Sequence, residues 1–455
     1  MRAQQLYNSH VCTMKQLIVL VTCSALAAGF GFSKTGIPPH HHAASETQKV
    51  KRYLVTDYGA RGDSSTLNTK AIQSAIDKCA AAGGGVVVIP KGIFRSGSLF
   101  LKKGVNLELR EGAVLKGSTD INDYPKINTR IEGHFEMWRA ALINADGTDH
   151  LRITGTGTLD GSGAPFWKQF WDARAKDNKT KNLDVERPRL MLVQNAKDVQ
   201  ISGIHFLNSG FWNLHIYKCG NVVVKNCSFI APAVSKPDNH APSSDGIDVD
   251  SSRDVLIAGC FFSVGDDCIA LKGTKGPFAA KDESSPPVER VTITDCIVEK
   301  GGGIVTCGSE ATIVKDVVVK NCITRGPTVL RLKLRPDTPQ HYENILLENI
   351  TLENGGIIFK VSPWSQYFDL MGQEPPSSVV RNVRIKNIHG NAQSWGELFG
   401  HAKAAISDIS VTDASLQLSD PGLKLGNVQG LTSSNVTVNG QSVNLAAFKQ
   451  NVAIK

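Results

Sequence analysis

The sequence predicts an all-β fold, a right-handed parallel β-helix (a solenoid) closed at its N-terminal end by a short capping helix. The first observation is a recurring motif, Asp or Asn followed by alternating apolar residues. It runs from Asp198-Val-Gln-Ile and Asn221-Val-Val-Val through Asp254-Val-Leu-Ile, Arg290-Val-Thr-Ile and Asp316-Val-Val-Val, then Asn344-Ile-Leu-Leu, Asn382-Val-Arg-Ile and Asp408-Ile-Ser-Val. The shortest spacings between these starts are 23, 26, 26 and 28 residues, the others carrying insertions. Period-two alternation marks strands, and recurrence every 20–50 residues marks stacked coils. The second observation is that helical spacing is confined to Asn68–Ala82, where Ile72, Ala75 and Ile76 precede Gly83-Gly84-Gly85. A β-sandwich would also use many short strands, but it would not repeat the same ending at matched positions.

The chain opens with a basic start at Met14-Lys15, an apolar run and small residues to Phe32. This pattern reads as a secretory signal within residues 1–34, with Met14 a candidate true start, so export to the periplasm or beyond is expected. Residues 35–52 read as a linker, and His40, His41 and His42 belong to it rather than to a metal site. Residues 53–455 read as one β-helix domain. No other stretch approaches the length of a membrane span. Asn68–Ala82 caps the open end of the stack, which needs covering against edge pairing.

Inside the coils, Cys227, Cys260, Cys296 and Cys322 recur at matching places. Such a residue serves as a small hydrophobe, and only a pair such as Cys219 with Cys227 invites bridging. Among ten cysteines and twelve histidines there is no zinc-type spacing, and no nucleotide-binding loop follows a strand. No metal and no cofactor is expected. A formal net charge of +8 over 455 residues, with no Lys/Arg run, is too mild for nucleic acid and suits an acidic partner.

Chemistry concentrates in three places. Ser244-Asp245-Gly-Ile-Asp248 and, 21 residues on, Gly265-Asp266-Asp267-Cys-Ile hold equivalent positions in the repeat. Stacking would bring Asp245, Asp266 and Asp267 onto one surface, where their mutual repulsion has to be offset by a cation or used in acid/base work. In Leu330-Arg331-Leu332-Lys333-Leu334-Arg335 the leucines face inward, so Arg331, Lys333 and Arg335 share the outer face. That strip suits a carboxylated substrate. Asp248 and Asp250 read as turn or strand-end residues. Trp212, Trp364 and Tyr367 are candidates for stacking on sugars, and His215 for a subsite.

This ordered set resembles glycoside hydrolase family 28, the pectin-degrading polygalacturonases. The resemblance extends to Asp57-Tyr-Gly-Ala-Arg-Gly-Asp63, Gly155-Thr-Gly-Thr-Leu-Asp-Gly161 and Asn208-Ser-Gly-Phe-Trp-Asn-Leu-His215, covering about residues 53–440. It implies inverting hydrolysis of α-linked galacturonosyl bonds by a monomer acting on an acidic plant-type polysaccharide. Asp266 would protonate the leaving oxygen, Asp245 and Asp267 would activate water, and Arg331 and Lys333 would hold the uronate carboxylate. An inverting pair is expected to stand roughly 6.5–9.5 Å apart, and crowding to keep one aspartate protonated. The chain departs from the family at Gly302, where a His is usual, and at Ser243-Ser244-Asp245, where the family carries Asn-Thr-Asp. These changes bring rhamnogalacturonan fragments into the substrate range. The insertion Gly273–Pro287 follows the aspartate pair and would close one end of the groove, favouring exo-action. Two rival readings are a calcium-dependent polysaccharide lyase and a non-catalytic carbohydrate-binding solenoid.

Overall fold

The computed structural model describes residues 50–233 and 240–450. The leader, His40–His42 and most of the linker lie outside them. Among the described residues, strands join into one 31-stranded sheet that is parallel almost throughout, each coil pairing with the next. The β-helix is therefore as expected.

The leading residue of every repeat motif explains why the motif recurs. Asp198, Asn221, Asp254, Arg290, Asp316, Asn344, Asn382 and Asp408 all have φ between 54° and 58°, the left-handed region. A coil must turn a corner there, and Asn and Asp tolerate that conformation better than other non-glycine residues. The amides then bond up the stack, Asn382 Nδ2 to Asn344 Oδ1 at 2.7 Å and Asn344 Nδ2 to Asp316 Oδ1 at 2.9 Å. Inward positions form continuous columns. Cys322, Ile350, Ile388, Ala414 and Val436 lie in successive coils in register, all buried. Burying such apolar side chains is the main driving force, about 1.5–3 kcal/mol for each larger one.

The cysteines are core filler. All eight described are free and buried, Cys219 and Cys227 included, so the bridge considered between those two does not form. The thiols of these two are instead turned toward the backbone carbonyls two residues earlier, Cys219 Sγ toward Tyr217 O and Cys227 Sγ toward Lys225 O. Helix α1, Thr69–Ala81, buries Ile72, Ala75, Ile76 and Cys79 against the first coils.

Two further elements were not expected. Helical spacing is not confined to the cap: helix α2, Ala164–Lys176, has Pro165 in its first turn and buries Phe166, Trp167 and Phe170. An antiparallel hairpin, Lys126–Ile131 with His134–Arg139, also leaves the stack. Among the described residues no helix is long and apolar enough to cross a membrane.

Candidate active site

Strand register places the polar groups. Asp248, Ala270, Thr306 and Arg331 stand side by side across successive coils, all on the outer face. Asp245 lies just before the first of these strands. Asp266 and Asp267 lie in the turn before the next. A carboxylate oxygen from each of Asp245, Asp266 and Asp267 falls within 4.8 Å of the other two. This is tighter than the gap expected of an inverting pair. Two of the aspartates are chain neighbours, and the third is one coil away, where coils stack about 4.8 Å apart.

Protein cations already lie against the trio. Asp267 is buried and fully engaged: Thr306 Oγ1 donates to its Oδ1 at 2.9 Å, Arg331 Nη1 to the same oxygen at 3.0 Å, and Lys333 Nζ to Oδ2 at 2.7 Å. Burial opposes ionisation there, but Lys333, Arg331 and Lys272 together hold its carboxyl far below the usual range. Lys272 Nζ is 3.4 Å from Asp245, 3.5 Å from Asp248 and 3.7 Å from Glu310, and 4.6 Å over the Trp212 ring. Even so, burial, with Asp266 and Asp267 nearby, pushes Asp245 up to about 7. The raised carboxyl that the sequence assigned to the acid thus lodges at Asp245. Asp248 is fully buried with both oxygens lacking a hydrogen-bond partner, and burial and then Asp245 raise it well above normal. Asp266 is the half-buried member of the trio.

Asp245, Asp266, Asp267, Lys272, Glu310, Arg331 and Lys333 line a pocket of about 300 Å³. Phe170, Trp171 and Arg174 of helix α2 wall one side, Glu132 of the hairpin tip and Lys275 another, and Trp364 and Tyr367 the far side. His240 also lines it. Of the strip Arg331-x-Lys333-x-Arg335, the first two pair with Asp267. The third is buried in a two-point pair with Asp337, at 2.8 Å for each bond. The cations therefore meet anions within the protein itself.

His215 does not line the pocket. It is fully buried, its ring nitrogens 2.7 Å from Arg189 Nη1 and 3.3 Å from Asp250 Oδ2, and burial pushes it down to about 4. Its strand position does face outward, but the hairpin covers it: Arg130 pairs with Asp250, and Arg189 donates to Arg130 O and Thr129 Oγ1. Asp250, read as a strand-end residue, is the anion of this buried layer. The loop at 273–287 does border the pocket through Lys275, and it is tied down by Gly276 N–H to Thr338 and by Thr274 to Asp282.

The profile of glycosyl hydrolases family 28 matches residues 79–437, well over half of the chain. The chain belongs to that family. It is a glycoside hydrolase acting on O-glycosyl bonds, in a family of polygalacturonases whose substrate class is galacturonan. It is 31% identical over 227 residues to a probable polygalacturonase of Vitis vinifera, an alignment spanning 48% of this chain and 43% of that protein. It is 26% identical over 467 residues to the exo-poly-alpha-D-galacturonosidase of Dickeya chrysanthemi, covering 86% of this chain and 74% of that one. Its fold is similar to the hyperthermoactive exopolygalacturonase of Thermotoga maritima, with a TM-score of 0.72 at 25% identity over 86% of this chain and 92% of that one.

Within this family-28 enzyme, position 302 has a steric explanation. A Cβ built on Gly302 would collide with Asp267 Oδ1 and with Arg331 Nη1. The Asp267–Arg331 pair occupies the space a side chain would need. Gly302→Ala is expected to lower kcat/KM at least about tenfold, near 1.4 kcal/mol, and Gly302→His to lower it further. Steady-state kinetics beside circular dichroism would check this, and a Gly302→His variant with raised activity would show that the pair yields without cost.

Proposed function

We propose that this enzyme removes galacturonic acid units from the end of a galacturonan chain by single-displacement, inverting hydrolysis. The observation that carries the exo mode is the pocket wall. Helix α2 and the hairpin tip add Phe170, Trp171, Arg174 and Glu132 to the lining beside the aspartates, which supports a bounded site for a chain end. A volume of about 300 Å³ is at the small end for ligand sites and suits a chain end. The exo-acting relatives from Dickeya and Thermotoga support the same reading.

In this reading Asp266 delivers the proton to the leaving oxygen, because it is the least buried member of the trio. Asp267, ionised and fixed by three donors, and Asp245 beside it orient and deprotonate the attacking water. Asp245 is raised to about 7 by burial, so it carries a proton below neutrality and ionises as pH rises through it. The kcat/KM profile should therefore rise on the acidic side as Asp245 ionises near pH 7 and becomes available to the attacking water. Arg331 and Lys333 would turn part of their charge to the substrate carboxylate. The leader pattern supports export, which the N-terminus of the mature protein from its native host would test.

The decisive experiment is a time course of products with EDTA present, on polygalacturonate and on rhamnogalacturonan oligosaccharides in parallel. Saturated galacturonate monomer from the first minutes, released as the inverted anomer by NMR, is the expected result. A ladder of oligomers would overturn the exo mode, an unsaturated product would indicate a lyase, and the retained anomer would overturn inversion. Preference for rhamnogalacturonan would move the substrate within the pectin class.

A further inference from the structure

A second uronate carboxylate, beyond the one facing Arg331 and Lys333, needs a cation that the protein has not already neutralised. Five of the six cations lining the pocket are paired. Lys272 serves Asp245, Asp248 and Glu310; Lys275 is 3.8 Å from Glu132; Arg331 and Lys333 both hold Asp267; and Arg335 holds Asp337. The sixth is Arg174. Among the described residues it has no ion pair and no hydrogen bond, and its guanidinium lies 5.9 Å from the Phe170 ring, one helical turn earlier.

Its setting is built rather than incidental. Phe170 is buried, and its ring is also approached by Arg187 at 4.5 Å. Arg187 is in turn fixed by donating to Pro242 O at 2.8 Å and Ser243 Oγ at 3.3 Å, in the loop that carries Asp245. Trp171 is anchored by donating from Nε1 to His240 O at 2.8 Å. The wall of helix α2 thus offers the pocket an aromatic surface and one uncommitted guanidinium. Such a pair suits a sugar ring bearing a carboxylate: the apolar face of the ring lies on the aromatic group, and the planar fork takes both carboxylate oxygens.

We infer that Arg174 is a specificity-determining residue that binds the carboxylate of a galacturonate unit next to the scissile one, making the enzyme selective for acidic over neutral chain ends. This rests on the galacturonan reading above and adds a residue outside the repeat motifs. Binding is best measured by calorimetry with full-length Asp266→Asn protein, so that cleavage does not intervene, using trigalacturonate and its carboxyl-reduced counterpart. Adding Arg174→Gln should weaken trigalacturonate at least about tenfold and leave the neutral trisaccharide unchanged. Arg174→Lys should recover only part of the loss, since the charge is kept but the planar two-point fork is not. In otherwise wild-type enzyme, Arg174→Gln should raise KM for trigalacturonate with kcat within about threefold.

Unchanged trigalacturonate affinity in Arg174→Gln would overturn the inference, as would equal weakening of both sugars, which marks a packing role. If the wild-type enzyme neither binds nor cleaves galacturonan, the underlying reading fails first, and this inference falls with it. The two failures are distinguished by the wild-type control.

Discussion

Asp266→Asn should lower kcat by about 10²–10⁴-fold while leaving the fold intact, since the general acid contributes on that order. The substitution is conservative in structure. The Asp266 side chain is half-buried, and its recorded bond is Oδ1 accepting the Asp267 backbone N–H at 3.0 Å, which an Asn oxygen can also accept. It also removes one charge that presses on Asp245. Stability should therefore hold or rise slightly while turnover disappears. Initial rates of galacturonate release, paired with a denaturation curve, separate the two quantities. An active, well-folded variant would dismiss Asp266 as the proton donor.

The second large effect is expected at Lys272, and it concerns stability. This ammonium is nearly fully buried and faces Asp245, Asp248 and Glu310 at once. Although burial disfavours its charge, those carboxylates raise it well above the ordinary lysine value. Glu310 in turn is held low by Lys272 first and Lys275 next, against its burial. Lys272→Met would keep the volume and strand three buried acids. Removing one partner of a buried pair costs about 3–5 kcal/mol.

The loss should depend on pH with a definite sign. Without Lys272 the folded-state pKa values of Asp245 and Asp248 move further above their unfolded values, and Glu310 loses the main cation that holds it low. The folded state then binds protons more tightly than the unfolded one, so stability falls as pH rises through that range. The deficit of Lys272→Met relative to wild type is expected to be larger at pH 8 than at pH 5. Urea midpoints at the two values would test this, and a deficit that grows on acidification would contradict the assigned network.

Asp248 shows what the site costs. Both its oxygens lack hydrogen-bond partners, and burial, then Asp245, raise its pKa well above the ordinary carboxylate value. It sits directly below the trio, one rung from Ala270 and two from Thr306. A turn-residue reading fitted its neighbours in sequence but not its neighbours in space. Strain of this kind is tolerated where function requires clustered acids.

Much of the architecture was legible because the physical causes are local. A coil corner needs a left-handed residue, so Asp198, Asn221, Asn344 and their counterparts announce each turn. The strand alternation that follows announces which side chains fill the core. The aspartate trio was legible for the same reason: equal positions in a repeat become neighbours in a stack. Helix α2 could have been found from Pro165 followed by Phe166, Trp167, Phe170 and Trp171, a helix start with paired apolar positions at i and i+4.

His215, Arg335 and Arg174 were not legible, and the reason is common to all three. Alternation tells which face of a strand a residue occupies, but an outward face is solvent, pocket or buried layer depending on what the insertions cover. The hairpin at 126–139 turned His215 from surface into interior, and Asp337 drew Arg335 out of service as a free cation. Helix α2, arriving from outside the repeat, delivered Arg174 to the pocket. The amino-acid sequence by itself determined the β-helix, its corners and the three aspartates, because each follows from a period written along the chain. The tertiary structure alone decided which charges are spent on one another and which remain for a ligand, because ion pairs form between segments whose separation in sequence obeys no period.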